Sequence, residues 1–209
     1  MANNFLFQKI VLLIVAVTAL PFHECAHAWV ASKLGDDTAR YQGRLTLNPL
    51  VHLDPIGTLL LLFAGIGWAK PVPINPRNFK NPKAGMALSA LAGPVSNVLL
   101  AYILLVIYKL LILLGVGVSS AVINIILSSM ILTNISLAVF NFLPVPPLDG
   151  SRVMFYFMPT KYYFKVMQYE QYIVMGVFLL LMLGVLDRPL RIAANFIFIV
   201  LDKASFFLG

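Results

Sequence analysis

The sequence predicts an all-α polytopic membrane protein of about five transmembrane helices, with a re-entrant or short β segment between the first and the second. Three observations lead there. Hydrophobic residues make up 60% of the 209 residues and charged residues only 11%, where soluble domains carry about 25% charge. The mean hydropathy is +0.90. The apolar residues gather into runs long enough to cross about 30 Å of hydrocarbon, separated by Gly- and Pro-rich stretches.

The first span is expected over residues 6–32, with Pro21 inside it as a candidate kink. It is too long and too continuous for a removable signal peptide, so it reads as a retained span. Residues 35–82 break the pattern. The apolar run at 59–66 is too short to cross a bilayer. Lys70-Pro71-Val72-Pro73-Ile74-Asn75-Pro76 cannot form a regular helix. Such backbone survives at membrane depth only when buried in protein or lining a wet cavity, hence the re-entrant reading with short β-like pieces. Further spans are expected at 86–114 and 119–142. The prolines after Asn141 then stop the helix, and a short helix is expected at 151–158. The last two spans are placed at 169–186 and 190–207. Residues 1–158 form the expected catalytic core and 159–209 a pair of accessory helices. Trp29, Trp68, Tyr162, Tyr163, Tyr169 and Tyr172 suit interface anchors.

The net charge of +7 does not point to nucleic acid, because basic cytoplasmic loops give the same sum. Lys33, Arg40, Arg44, Lys70, Arg77, Lys80 and Lys83 follow the first span, and Arg152, Lys161 and Lys165 follow the third. With Lys203 they assign eleven of the 15 basic residues to one side, which should be the cytoplasm. The chain is therefore expected in a cell membrane with its N-terminus outside, its C-terminus cytoplasmic and its polar centre toward the cytoplasmic side. Cys25 is the single cysteine, so an intrachain disulfide is impossible.

The chemistry concentrates in His23-Glu24-Cys25-Ala26-His27. Positions i and i+4 share a helix face, so both histidines can grip one metal ion. Glu24 beside them is placed to take a proton from water. Ionisable groups inside a span are costly and tend to be functional. Cys25 points off the shared face and reads as packing. A catalytic zinc site takes three protein ligands and keeps an open position. Asp149 is the leading candidate for the third, with Asp54 and His52 as alternatives, and a plain turn or N-cap as the competing role of Asp149-Gly150.

Three ordered motifs then stand together: HExxH at 23–27, Gly93-Pro94-Val95-Ser96-Asn97, and Asn141-Phe142-Leu143-Pro144-Val145-Pro146-Pro147-Leu148-Asp149-Gly150. With residues 47–57 and 67–73, the chain resembles the site-2 protease family of intramembrane zinc metalloproteases, in a minimal form. The resemblance implies His23, His27 and Asp149 as ligands of Zn2+ and Glu24 as general base. It implies a transmembrane protein as substrate. Asn97 and Asn141 match polar positions of the family motifs and, with His52, are candidate substrate-binding residues. A metal-ion transporter and a non-proteolytic zinc protein of the membrane are the rival functions. A transporter needs several weak sites, and a structural zinc site needs a fourth ligand.

Overall fold

The computed structural model describes residues 2–64, 67–115 and 121–205. The ends of three expected segments lie outside these: residues 65–66 of the short apolar run, 119–120 of the third span and 206–207 of the fifth. The described residues form ten α-helices: α1 Ala2–Lys33, α2 Thr38–Tyr41, α3 Pro49–His52, α4 Pro55–Ala64, α5 Pro82–Leu113, α6 Ala121–Asn141, α7 Asp149–Phe157, α8 Thr160–Gln168, α9 Glu170–Met182 and α10 Asp187–Ala204. A single 3-10 turn, Pro76–Asn78, precedes α5.

Among the described residues three helices are long and apolar enough to cross a membrane: α1 from Lys9 onward, α5 and α6. α9 and α10 meet that test only as a pair, and the pair is bent by 84° at its break. Helix length thus supports three spans, or four if the bent pair counts as one. α9 alone has 13 residues, about 20 Å at 1.5 Å per residue, which is short of the hydrocarbon thickness. The expected fifth span is not shown.

α5 is the central helix and packs on α1, α6 and α7. It starts four residues earlier than expected, because Asn81 caps it by accepting from the Ala84 N–H at 3.1 Å and Pro82 fills the first position, where an N–H is not needed. Its inner face is built of small residues, Gly85, Ser89, Gly93 and Asn97, repeating every four positions and buried. Small residues let helix backbones approach closely in a membrane, where burial of apolar surface gives no drive to associate. Further along α5, Ala101, Leu104 and Leu105 meet Ile131, Ile135 and Val139 of α6 and Leu201 of α10. Leu99, Ile103, Ile107 and Leu132 stay exposed, as lipid-facing side chains must. The last turn of α10 sits beside the second half of α5. Lys109 pairs with Asp202 at 2.9 Å, and the Tyr102 hydroxyl donates to the Ala204 carbonyl at 3.4 Å.

The segment between α1 and α5 holds less β structure than expected. Among the described residues its strand content is one antiparallel bridge, Leu53 with Ala69. The reason lies in Pro71, Pro73 and Pro76, which carry no N–H and cannot continue a ladder. The stretch uses helical turns instead, and α4 turns Ile56, Leu59, Leu60 and Phe63 outward.

Candidate metal centre

α1 continues as a helix through Pro21, and one turn of it presents the histidines. Their rings meet edge to face with centroids 4.5 Å apart, and the two Nε2 atoms lie 2.9 Å apart. Asp149 Oδ2 completes a triangle, 3.1 Å from His23 Nε2 and 3.3 Å from His27 Nε2. Four donors around zinc at about 2.0–2.1 Å stand roughly 3.3 Å from each other. The donor set and its spacing therefore fit zinc, and these three residues are a group that could hold a metal ion. Asp54 and His52, the alternative third ligands, are not in it.

Two glycines make the triangle possible. A Cβ at Gly93 would run into the rings of His27 and His23, so only glycine lets α5 pass this close. A Cβ at Gly150 would run into the carbonyls of Phe142 and Leu143, so Asp149 reaches the histidines because the chain folds tightly back on the end of α6. Burial opposes ionisation of Asp149, but hydrogen bonds and charge from His23 and His27 outweigh it and hold the carboxyl below the usual carboxylate range. An ionised carboxylate is the ligating form.

The outer nitrogens of both rings are also engaged. His27 Nδ1 lies 2.7 Å from the Ser89 carbonyl and can only donate to it, so in the neutral, metal-binding ring Nε2 is left with its lone pair facing the triangle. His23 Nδ1 lies 3.3 Å from the amide of Asn97. Glu24 is 8% exposed and accepts from the Val72 N–H at 2.9 Å.

The other two candidate polar residues are engaged elsewhere. Asn141 is half-buried and donates back to the Leu137 carbonyl of its own helix at 3.0 Å. His52 is fully buried, and its Nε2 bonds the Thr46 carbonyl at 2.7 Å. Sequence reasoning missed Ser89 and Val72, because both act through the backbone, which every residue type offers. For Ser89 a signal existed in the four-residue stripe of small residues. For Val72 there was none. It missed Asp36 too, which is fully buried and accepts from the Asn75 N–H and the Asn78 amide, each at 2.7 Å.

A helix bundle apolar enough to span a membrane, with two buried histidines, a partly buried aspartate closing the triangle and an adjacent glutamate, defines a metal-dependent hydrolase of the membrane. The chain belongs to peptidase family M50, the site-2 protease family of zinc metalloproteases. The family profile matches residues 116–184, which take in α6, the Asp149 turn, α7, α8 and α9. YwhC of Bacillus subtilis, provisionally named a zinc metalloprotease, is 46% identical over 164 residues, or 77% of this chain and 75% of the relative. MJ0611 of Methanocaldococcus jannaschii, named in the same way, is 28% identical over 160 residues, 72% of this chain and 73% of its own. Rip2 of Mycolicibacterium smegmatis, again so named, is 28% identical over 151 residues, 69% of this chain and 56% of its own. No solved structure matches the chain significantly.

Proposed function

We propose that this chain is an intramembrane endopeptidase that hydrolyses a peptide bond within a transmembrane segment of a membrane-protein substrate. The observation that carries the reading is the burial of His23 and His27 between two helices that are themselves candidate spans, α1 and α5, with Asp149 brought against them from the start of α7. A site at that depth suits a substrate that lies in the bilayer. His23, His27 and Asp149 hold the zinc, which supplies Lewis acidity and brings the pKa of water toward about 7. Glu24 takes the proton of the attacking water at its carboxylate and passes it to the leaving amine as the C–N bond breaks.

Asn97 serves His23. The structure turns its Nδ2 toward His23 Nδ1 and leaves its Oδ1, though buried, without a partner. The two ends of an amide are interchangeable by a flip. With the amide turned over, Oδ1 accepts from Nδ1–H, and His23 then faces the metal with Nε2, as His27 does. The amide of Asn141 remains our candidate for substrate backbone, and His52 a candidate through its unpartnered Nδ1.

Residues 1–158 form the proposed catalytic core. α8, α9 and α10 are accessory: α9 buries no residue, while α10 leans on α6. α4 is read as re-entrant, since its exposed apolar side chains need lipid but its 10 residues reach only about 15 Å. The basic residues around the end of α1, the start of α5 and α7–α8 support a cytoplasmic reading of that face, with the metal centre toward it. The Lys109–Asp202 pair moves Lys203 to the opposite face. With the bent pair as a fourth span, the end of α10 would lie outside, in place of the cytoplasmic C-terminus expected from five spans.

The test is zinc content and cleavage measured together on wild type, Glu24→Gln and Asp149→Ala. One zinc per chain in wild type and Glu24→Gln, cleavage in wild type alone, and loss of zinc in Asp149→Ala are expected. Full zinc in Asp149→Ala, or cleavage by Glu24→Gln, would overturn the reading.

A further inference from the structure

Glu24 shares a turn of α1 with the histidines, but its hydrogen bond is not made to α5. Its carboxylate is held by Val72, which lies in a strap at residues 70–75. Among the described residues the strap has no ladder partner along its length, and it is pinned at separate points. At one end the Lys70 N–H donates to the His52 carbonyl at 2.8 Å. At the other the Asn75 N–H donates to Asp36 Oδ2 at 2.7 Å. Between them Arg44 donates from Nη2 to the carbonyls of Lys70 and Pro71, the two immediately before Val72.

Arg44 is only 7% exposed, and among the described residues no carboxylate pairs with it. A buried guanidinium without a counter-ion is costly, so its hydrogen bonds must place something that matters. What they place is the peptide unit that leads into the Val72 N–H. His52 supports the same strap, since its ring ties it to Thr46 while its carbonyl receives Lys70.

We propose that Arg44 is a positioning residue for Glu24. By fixing the carbonyls of Lys70 and Pro71 it presents the Val72 N–H to one carboxylate oxygen of Glu24, and the other oxygen is left to handle the proton. This inference rests on Glu24 being the general base. The chain of action is Arg44 to the strap, the strap to the Val72 N–H, and the N–H to Glu24. Removing the first link or the last should therefore cost turnover while sparing the metal.

The experiment uses the full chain in detergent with fluorescently labelled casein, an unfolded probe that needs no helix unwinding. Arg44→Met, Arg44→Lys, Val72→Pro and the double Arg44→Met/Val72→Pro are compared with wild type and Glu24→Gln. Val72→Pro deletes the N–H in a stretch already flanked by prolines. Expected are one zinc per chain throughout, KM within about twofold, and kcat lowered roughly 10- to 100-fold in Arg44→Met and Val72→Pro, the size set by a lost hydrogen bond to a charged group. Arg44→Lys should recover part of the loss. The double variant should be no slower than the worse single, since both break one path. Amide exchange across residues 70–75 should rise in Arg44→Met. Wild-type turnover in Arg44→Met, losses that multiply in the double, or zinc lost with Arg44 would each overturn the proposal. Cleavage by Glu24→Gln would instead overturn the base assignment beneath it.

Discussion

The two histidines and the glutamate of this centre share one helical turn, yet different forces place them. His23 and His27 are set by helix against helix: the i, i+4 spacing aims both rings at α5, and Gly93 and Ser89 let α5 come within reach. Glu24 faces the irregular segment instead and is held by one backbone N–H of a strap that is itself pinned by Arg44 and Asp36. Helix packing thus places the two histidines of the proposed metal site, while point-by-point hydrogen bonding holds Glu24, the proposed base. The difference teaches that one turn of helix can carry two functions with separable sensitivities. A fault in the α1–α5 interface should cost metal, and a fault in the strap should cost turnover.

The largest effect is expected at Gly93. In Gly93→Ala the new methyl collides with both rings, so the triangle cannot close, and zinc content should fall to background with cleavage lost. Elemental analysis of the purified variant checks this, and a variant that keeps one zinc per chain would show that α5 can move away freely. Asn97 should give the next effect. Asn97→Leu should weaken zinc about 10- to 100-fold, the usual result of removing a group that orients a metal-bound histidine. Asn97→Asp should retain it, because a carboxylate accepts from Nδ1–H without any flip. Competition with a zinc chelator measures both, and equal affinities for Leu and Asp would remove Asn97 from the support of His23.

The smallest effect belongs to the strap's far end. Burial opposes ionisation of Asp36, but the donors Thr38, Asn75 and Asn78 outweigh it and hold its carboxyl below the usual carboxylate range. A group depressed in the folded state stabilises above its unfolded pKa, and that stability is lost as pH falls through the folded value. Asp36→Asn should therefore lower stability by about 1–3 kcal/mol near neutral pH, with the gap to wild type closing below about pH 4. Thermal unfolding in detergent at several pH values tests it, and a pH-independent gap would mean that Asp36 matters only as a shape.

Much of this was legible in the chain. Composition and run length alone mark a membrane protein of long apolar helices, because hydrocarbon tolerates little else. The HExxH spacing alone puts two histidines on one face, since helical periodicity is local. The stripe of Gly85, Ser89, Gly93 and Asn97 is equally local and names the face of α5 that approaches another helix. The number of spans was less legible. The sequence shows apolar stretches near 169–186 and 190–207, but a bend of 84° between α9 and α10 is decided by how α10 packs on α6 and by the Lys109–Asp202 pair, across 93 positions of chain.

Only the tertiary structure decided two things: that His27 donates to the carbonyl of Ser89, 62 positions away; and that Glu24 rests on the amide of Val72, 48 positions on. The physical reason is the same in each case. Side-chain type and spacing follow from sequence through local geometry, whereas a main-chain N–H or carbonyl is common to nearly every residue and acquires a role only when the fold brings it to a partner.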